Sequence, residues 1–87
     1  MLSKKVTVVD VRNPDEFSIG HVSGSLNIPL NELPQRVAEI AGDADPVFLC
    51  SASDDRSSEA EKFLRGNGFS NVYDGGSWVE LNSILNN

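Results

Sequence analysis

Val47-Phe48-Leu49-Cys50-Ser51-Ala52-Ser53-Asp54-Asp55-Arg56-Ser57-Ser58 is the stretch on which the reading of this chain turns. Val-Phe-Leu suits a buried parallel strand, and the run ends in the only cysteine of the sequence. A small polar loop and an arginine follow. Ser58-Glu59-Ala60-Glu61 has the capping-box pattern, with Ser58 as N-cap and Glu61 three residues on, which predicts a helix from that point. The loop therefore joins the carboxyl end of a strand to the amino end of a helix. That is where open α/β sheets place ligands, and where free amides and the helix dipole favour an anion or a thiolate. A cysteine there is expected to be accessible and of lowered pKa, with Arg56 as the nearby cation and as a fork for a bound oxyanion. A buried cysteine closing a strand is the plainer alternative.

Outward from this stretch the chain alternates. Val6 to Val11 is a β-branched strand, broken at Asn13-Pro14-Asp15 by a turn or a single helical turn. Gly20 and Gly24 bracket a loop, and Leu26-Asn27-Ile28 is a very short strand closed by Pro29. Leu33, Val37 and Ile40 share one helical stripe, with Gly42 as the stop and Asp43 to Pro46 as loop. After the Cys50 loop, Ala60, Phe63 and Leu64 mark the inner face of a helix ending at Gly66-Asn67-Gly68. Asn71-Val72-Tyr73 is the last strand, Asp74-Gly75-Gly76 a turn, and Trp78, Leu81 and Leu85 a closing helix. The expected fold class is α/β, with helices around a small, mostly parallel sheet.

Composition limits the function. Residues 1–87 suit one small domain, and 39% hydrophobic with 23% charged residues fits a globular chain. No apolar run is long enough for a membrane span, and Met1 to Lys5 lead into strand-like sequence without a signal peptide. A formal net charge of −6 argues against nucleic acid and anionic membranes as partners. A single cysteine excludes an internal disulfide and fits a reducing cytoplasm. It also requires any oxidised or sulfur-loaded Cys50 to be discharged by an outside partner. One histidine and one cysteine are too few for a zinc site, so neither metal nor cofactor is expected. His21 reads as a hydrogen-bonded structural residue, Asp10 and Arg12 as a structural pair bordering the loop, and Trp78 as core.

Four ordered blocks resemble one family. Asp10 to Phe17 with Gly20 to Leu30, Val47 to Cys50, Arg56 to Ala60, and Gly66 to Val72 with Asp74 to Trp78 are similar to the signatures of rhodanese-like domains. The resemblance implies a three-layer α/β/α sandwich and sulfur transfer. Cys50 would take the outer sulfur of thiosulfate or a related small anionic donor as a persulfide. Cyanide or a thiol, including a protein thiol, would then accept it; apart from the resemblance, a monomer is expected. Carried over by position, Cys50 and Arg56 are catalytic. Ser51, Ala52, Ser53, Asp54 and Asp55 form an amide cradle, and Ser57 completes the substrate-binding set.

Two other readings stay open. The loop from Cys50 through Arg56 is one residue longer than the usual sulfurtransferase loop and resembles that of rhodanese-fold phosphatases and arsenate reductases, whereas Leu49 before the cysteine resembles sulfurtransferases. Asp54 and Asp55 add negative charge, each opposing a thiolate by roughly 0.5 kcal/mol if solvated at about 8 Å. That fits a binding module that keeps the fold without the activity.

Overall fold

The computed structural model describes residues 6–40, 46–52 and 54–85, without the side chains of Asp54 and Asp55. The expectations for Met1 to Lys5, Gly42, Asp43 to Asp45 and Ser53 lie outside the described residues. In chain order the elements are β1 (Thr7–Asp10), α1 (Pro14–Ile19), β2 (Leu26–Asn27), α2 (Leu33–Arg36) between two 3-10 turns, β3 (Val47–Ser51), α3 (Asp54–Gly66), β4 (Val72–Ser77) and α4 (Trp78–Leu85). The strands form one sheet in the order β2-β1-β3-β4, with every pair parallel.

Side chains alternate across this sheet, so consecutive residues feed two cores. Val9, Val11, Val47 and Leu49 point to the face covered by α2 and α3, where they meet Leu33, Ala60 and Leu64. Val8, Phe48 and Cys50 point to the opposite face and meet Val22, Leu81 and Trp78. Ile28, Leu33, Leu49 and Leu64 are among the largest fully buried side chains, each contributing about 1.5–3 kcal/mol by burial. The result is the α/β/α sandwich expected from the sequence.

Several boundaries differ from the sequence reading. The turn or single helical turn expected at Asn13-Pro14-Asp15 is the six-residue α1, because Pro14 occupies the first helical position and the Glu16 carboxylate accepts a hydrogen bond from the Asn13 amide at 3.0 Å. The stripe Leu33, Val37 and Ile40 is not one helix. Pro34 has no amide to reach back to Leu30, and Leu33 N bonds to Leu30 O instead, so the segment closes as a 3-10 turn, a short α-turn and another 3-10 turn.

α3 starts at Asp54, so Ser58 lies inside it rather than capping it. The helix therefore begins four residues before the capping-box pattern.

β4 also runs further than expected, through Gly75 and Gly76 to Ser77. Leu49 pairs with Asp74 but Ser51 pairs with Ser77, so β4 carries one extra residue opposite Cys50. Such bulges bend a strand and re-aim the chain beyond it. The glycines permit it: a Cβ on Gly75 would lie 2.9 Å from the Leu49 carbonyl oxygen, and Gly76 has φ +72°. The Gly76 amide donates to Asp74 Oδ1 at 2.9 Å.

Candidate functional site at the carboxyl end of the central strand

Cys50 closes the apolar part of β3 and sits beside Asp10 of β1 in register, with its carbonyl accepting the Val11 amide at 3.0 Å. It is fully buried, at 0% exposure, beneath α4. Burial pushes its thiol up to about 12; the neighbouring Asp10 carboxylate adds to the shift and Arg12 partly offsets it. The sequence reading expected an accessible thiol of lowered pKa. The structure reverses this, because Trp78 and Leu81 from the far end of the chain pack over the strand end and bury the thiol.

The cation acting on Cys50 is Arg12, not Arg56. Arg12 is 4% exposed and wraps back onto Asp10, donating from Nε at 2.9 Å to Oδ1 and from Nη2 at 2.7 Å to Oδ2. Its backbone amide also donates to Asp10 Oδ1 at 3.0 Å, and Nη2 donates to the Gly20 carbonyl at 2.6 Å. The guanidinium carbon lies 4.8 Å from the Trp78 ring centroid, within cation–π range. The Asn27 side-chain amide donates to the carbonyls of both Asp10 and Arg12, tying β2 to this turn. The expected Asp10–Arg12 pair is present, and its charges act on the cysteine more strongly than the loop arginine does.

Arg56 lies in the first turn of α3 and reaches across to α1. Nη1 and Nη2 donate to the two Glu16 carboxylate oxygens at 2.9 and 3.2 Å. This fork, with the Asn13 amide as a second donor, holds the Glu16 carboxyl down to about 2, and the same contact raises Arg56. The expected oxyanion ligand is thus already engaged by an internal carboxylate. Glu16 escaped the sequence reading, since no local pattern links residues 40 apart.

The remaining candidates are spread over three settings. Ser51 is the buried last residue of β3, Ala52 is an exposed bend, and Ser57 is buried on the inner face of α3. Asp54 and Asp55 belong to the helix rather than to an open loop, which shortens the cradle expected between Cys50 and Arg56. His21 stacks on Phe17, with ring centroids 3.8 Å apart, and its Nδ1 lies 2.8 Å from the Phe17 carbonyl, a structural role as expected. A groove of about 560 Å³ opens on the other face of the sheet, between Leu30, Leu33, Pro34 and Phe63. Arg56 stands at its rim, whereas Cys50 faces the opposite core. No group of three or more metal-ligating side chains occurs among the described residues, and none of their helices is long and apolar enough to cross a membrane.

The chain was compared with known proteins. It is 44% identical over 70 residues to an uncharacterized protein, YqhL, of Bacillus subtilis (strain 168), an alignment covering 80% of this chain and 55% of that protein. The chain therefore spans about half the length of this relative. It is 37% identical over 76 residues to the thiosulfate sulfurtransferase GlpE of Ectopseudomonas mendocina (strain ymp), covering 85% of this chain and 69% of that one. Among solved structures, a rhodanese with anions from E. coli superposes with a TM-score of 0.79 at 29% identity, covering 85% of this chain and 88% of that chain. The model of the rhodanese-like domain matches residues 1–80, and the chain belongs to that family.

Proposed function

We propose that the protein is a sulfurtransferase that moves sulfane sulfur from a donor such as thiosulfate to a thiophilic acceptor through a persulfide on Cys50. The observation that carries this reading is the place of Cys50: the carboxyl end of a central parallel strand, directly before the amino end of α3, with Arg56 in that helix's first turn. The similarity to GlpE, a thiosulfate sulfurtransferase, supports the donor class. In the reaction the Cys50 thiolate attacks the outer sulfur of the donor, a new S–S bond forms, and the bond to sulfite breaks with its electron pair. An outside thiolate or cyanide then takes the sulfur and restores Cys50.

A second reading is favoured by two observations. Cys50 is buried with a raised pKa and Arg56 is already paired, as suits a binding module that keeps the fold without turnover. For the sulfurtransferase, α4 or the segment after Cys50 must move to admit the donor. Incubation with thiosulfate, removal of excess donor and an intact mass separate the two. The expected species is one sulfur atom heavier, reverts with cyanide, and is absent in Cys50→Ala. A protein that gains sulfur from no sulfane donor overturns the sulfurtransferase in favour of the module. Cys50-dependent hydrolysis of an aryl phosphate without sulfur loading would instead assign phosphatase chemistry.

A further inference from the structure

β4 is the last strand of the sheet, with β3 on one side and, among the described residues, no strand on the other. Its register fixes which groups face outward. Val47 stands opposite Val72, and the Val47 amide donates to the Asn71 carbonyl at 2.9 Å. The Asn71 carbonyl and the peptide groups of Tyr73 therefore face β3, while those of Val72 and Asp74 point away from the sheet. An open row of this kind is a template for another strand. Here one side chain lies across it. Arg65 of α3 donates from Nη1 to the Ser70 carbonyl at 3.3 Å and from Nη2 to the Val72 carbonyl at 2.5 Å. Its Nε donates to Glu61 Oε2 at 2.9 Å, one helical turn back, which steadies the fork.

The side chains along this edge match a second copy of the same edge. Val8, Phe48 and Tyr73 form one row across the sheet, with the Phe48 and Tyr73 ring centroids 5.4 Å apart. The row ends in Tyr73, which is 45% exposed. An antiparallel two-fold centred on Tyr73 pairs Tyr73 with Tyr73, and Val72 with Asp74, across the two copies. Every outward N–H and C=O of Val72 and Asp74 then finds a partner. The aromatic row continues into the second copy, and the two Asp74 carboxylates do not stand opposite each other. We infer that the outer edge of β4 is a self-complementary pairing surface for a second copy of this chain, and that Arg65 keeps it shut by occupying the Val72 carbonyl that the pairing needs. The inference stands apart from the sulfurtransferase reading, since Arg65, Val72 and Tyr73 have no part in the proposed chemistry.

Sedimentation equilibrium over a concentration series reaching the millimolar range tests it. The parent is expected to stay at one chain mass, 9.4 kDa, whereas Arg65→Ala moves toward twice that mass as concentration rises. In Arg65→Ala the Val72 and Asp74 amides are expected to exchange with deuterium about tenfold more slowly at the top of the series than at the bottom. Adding Tyr73→Lys to Arg65→Ala is expected to restore the single chain, because like charges then meet at the centre of the pair. If circular dichroism shows Arg65→Ala unfolded, Glu61→Gln takes its place. It removes the carboxylate that steadies the fork and is expected to shift the mass the same way by less. A parent that already dimerises overturns the inference. So does a folded variant that stays at one chain mass throughout, or one that associates without slowing exchange at Val72 and Asp74. A double variant with Tyr73→Lys that still dimerises overturns the proposed register and the inference with it.

Discussion

Glu16 and Arg56 lie 40 residues apart in sequence and meet in a two-pronged ion pair that ties α1 to the first turn of α3. Both side chains remain about a third exposed, so water screens the pair, and its contribution to stability is at most about 1 kcal/mol. Its pH dependence has a definite sign. The Glu16 carboxyl is lowered from 4.5 to about 2, so its stabilising effect is present above pH 4.5 and is lost as pH falls through about 2. Glu16→Gln should therefore unfold at slightly lower urea than the parent at pH 7. The gap between the two should close by pH 2, and a gap that persists there would show that the carboxylate is not its source.

The second pair, Asp10 with Arg12, is buried, and the same argument gives a larger number. Arg12→Met leaves the Asp10 carboxylate without its charge partner in a dry setting and should cost about 3–5 kcal/mol. Arg12→Met combined with Asp10→Asn should recover part of that loss. Urea midpoints of the parent, the single and the double variant check both statements.

Cys50 gives a prediction of opposite sign to that for Glu16. Its pKa is raised from 9.0 to about 12, so the stability it contributes is complete below pH 9 and is lost as pH rises through about 12. The stability difference between the parent and Cys50→Ala should hold constant up to pH 9 and then move against the parent. In the same range, iodoacetamide alkylation of the folded protein should begin to rise, above the onset for free cysteine. Alkylation already complete near neutral pH would mean that Cys50 spends its time in an open state rather than beneath Trp78 and Leu81.

Gly75 is fixed by contact rather than by φ. A methyl group there meets the Leu49 carbonyl oxygen at 2.9 Å and Leu81 Cδ2 at 3.0 Å, so Gly75→Ala should lower stability by about 1–3 kcal/mol. Gly24 offers a control, since nothing lies within 4 Å of its Cβ position and only its φ of +82° opposes a side chain. Thermal melts of the two variants should place Gly75→Ala lower.

The sheet was legible because its strands advertise themselves. Thr7 to Val9 and Val47 to Leu49 are β-branched or apolar runs, and their burial on both faces follows from helices on both sides. The start of α3 was misjudged because Ser58 and Glu61 mimic a cap while Asp54 and Asp55 make the real first turn. Cys50 itself was evident, but its environment was not. Its cover comes from Trp78 and Leu81, and its strongest charged neighbours, Asp10 and Arg12, from the end of β1. Spacing within the Cys50 stretch carries no record of either. Arg56 lies in the first turn of the helix after the strand, yet its partner Glu16 comes from a segment whose sequence offers only a turn or a single helical turn.

The added residue in β4 makes the length of the chain at that point carry information apart from its chemistry. Strand side chains repeat every two residues and helical ones every 3.6, so losing either Gly75 or Gly76 would turn the start of α4 by about 100°. Trp78, Leu81 and Leu85 would swing off the face they share with Val8 and Cys50. Arg12 would lose the indole over its guanidinium, and Cys50 its roof. A substitution in this pair strains one contact, whereas a deletion misphases a whole helix. Insertions and deletions here are therefore under tighter constraint than the identity of any single exposed residue of α4, such as Val79 or Ile84.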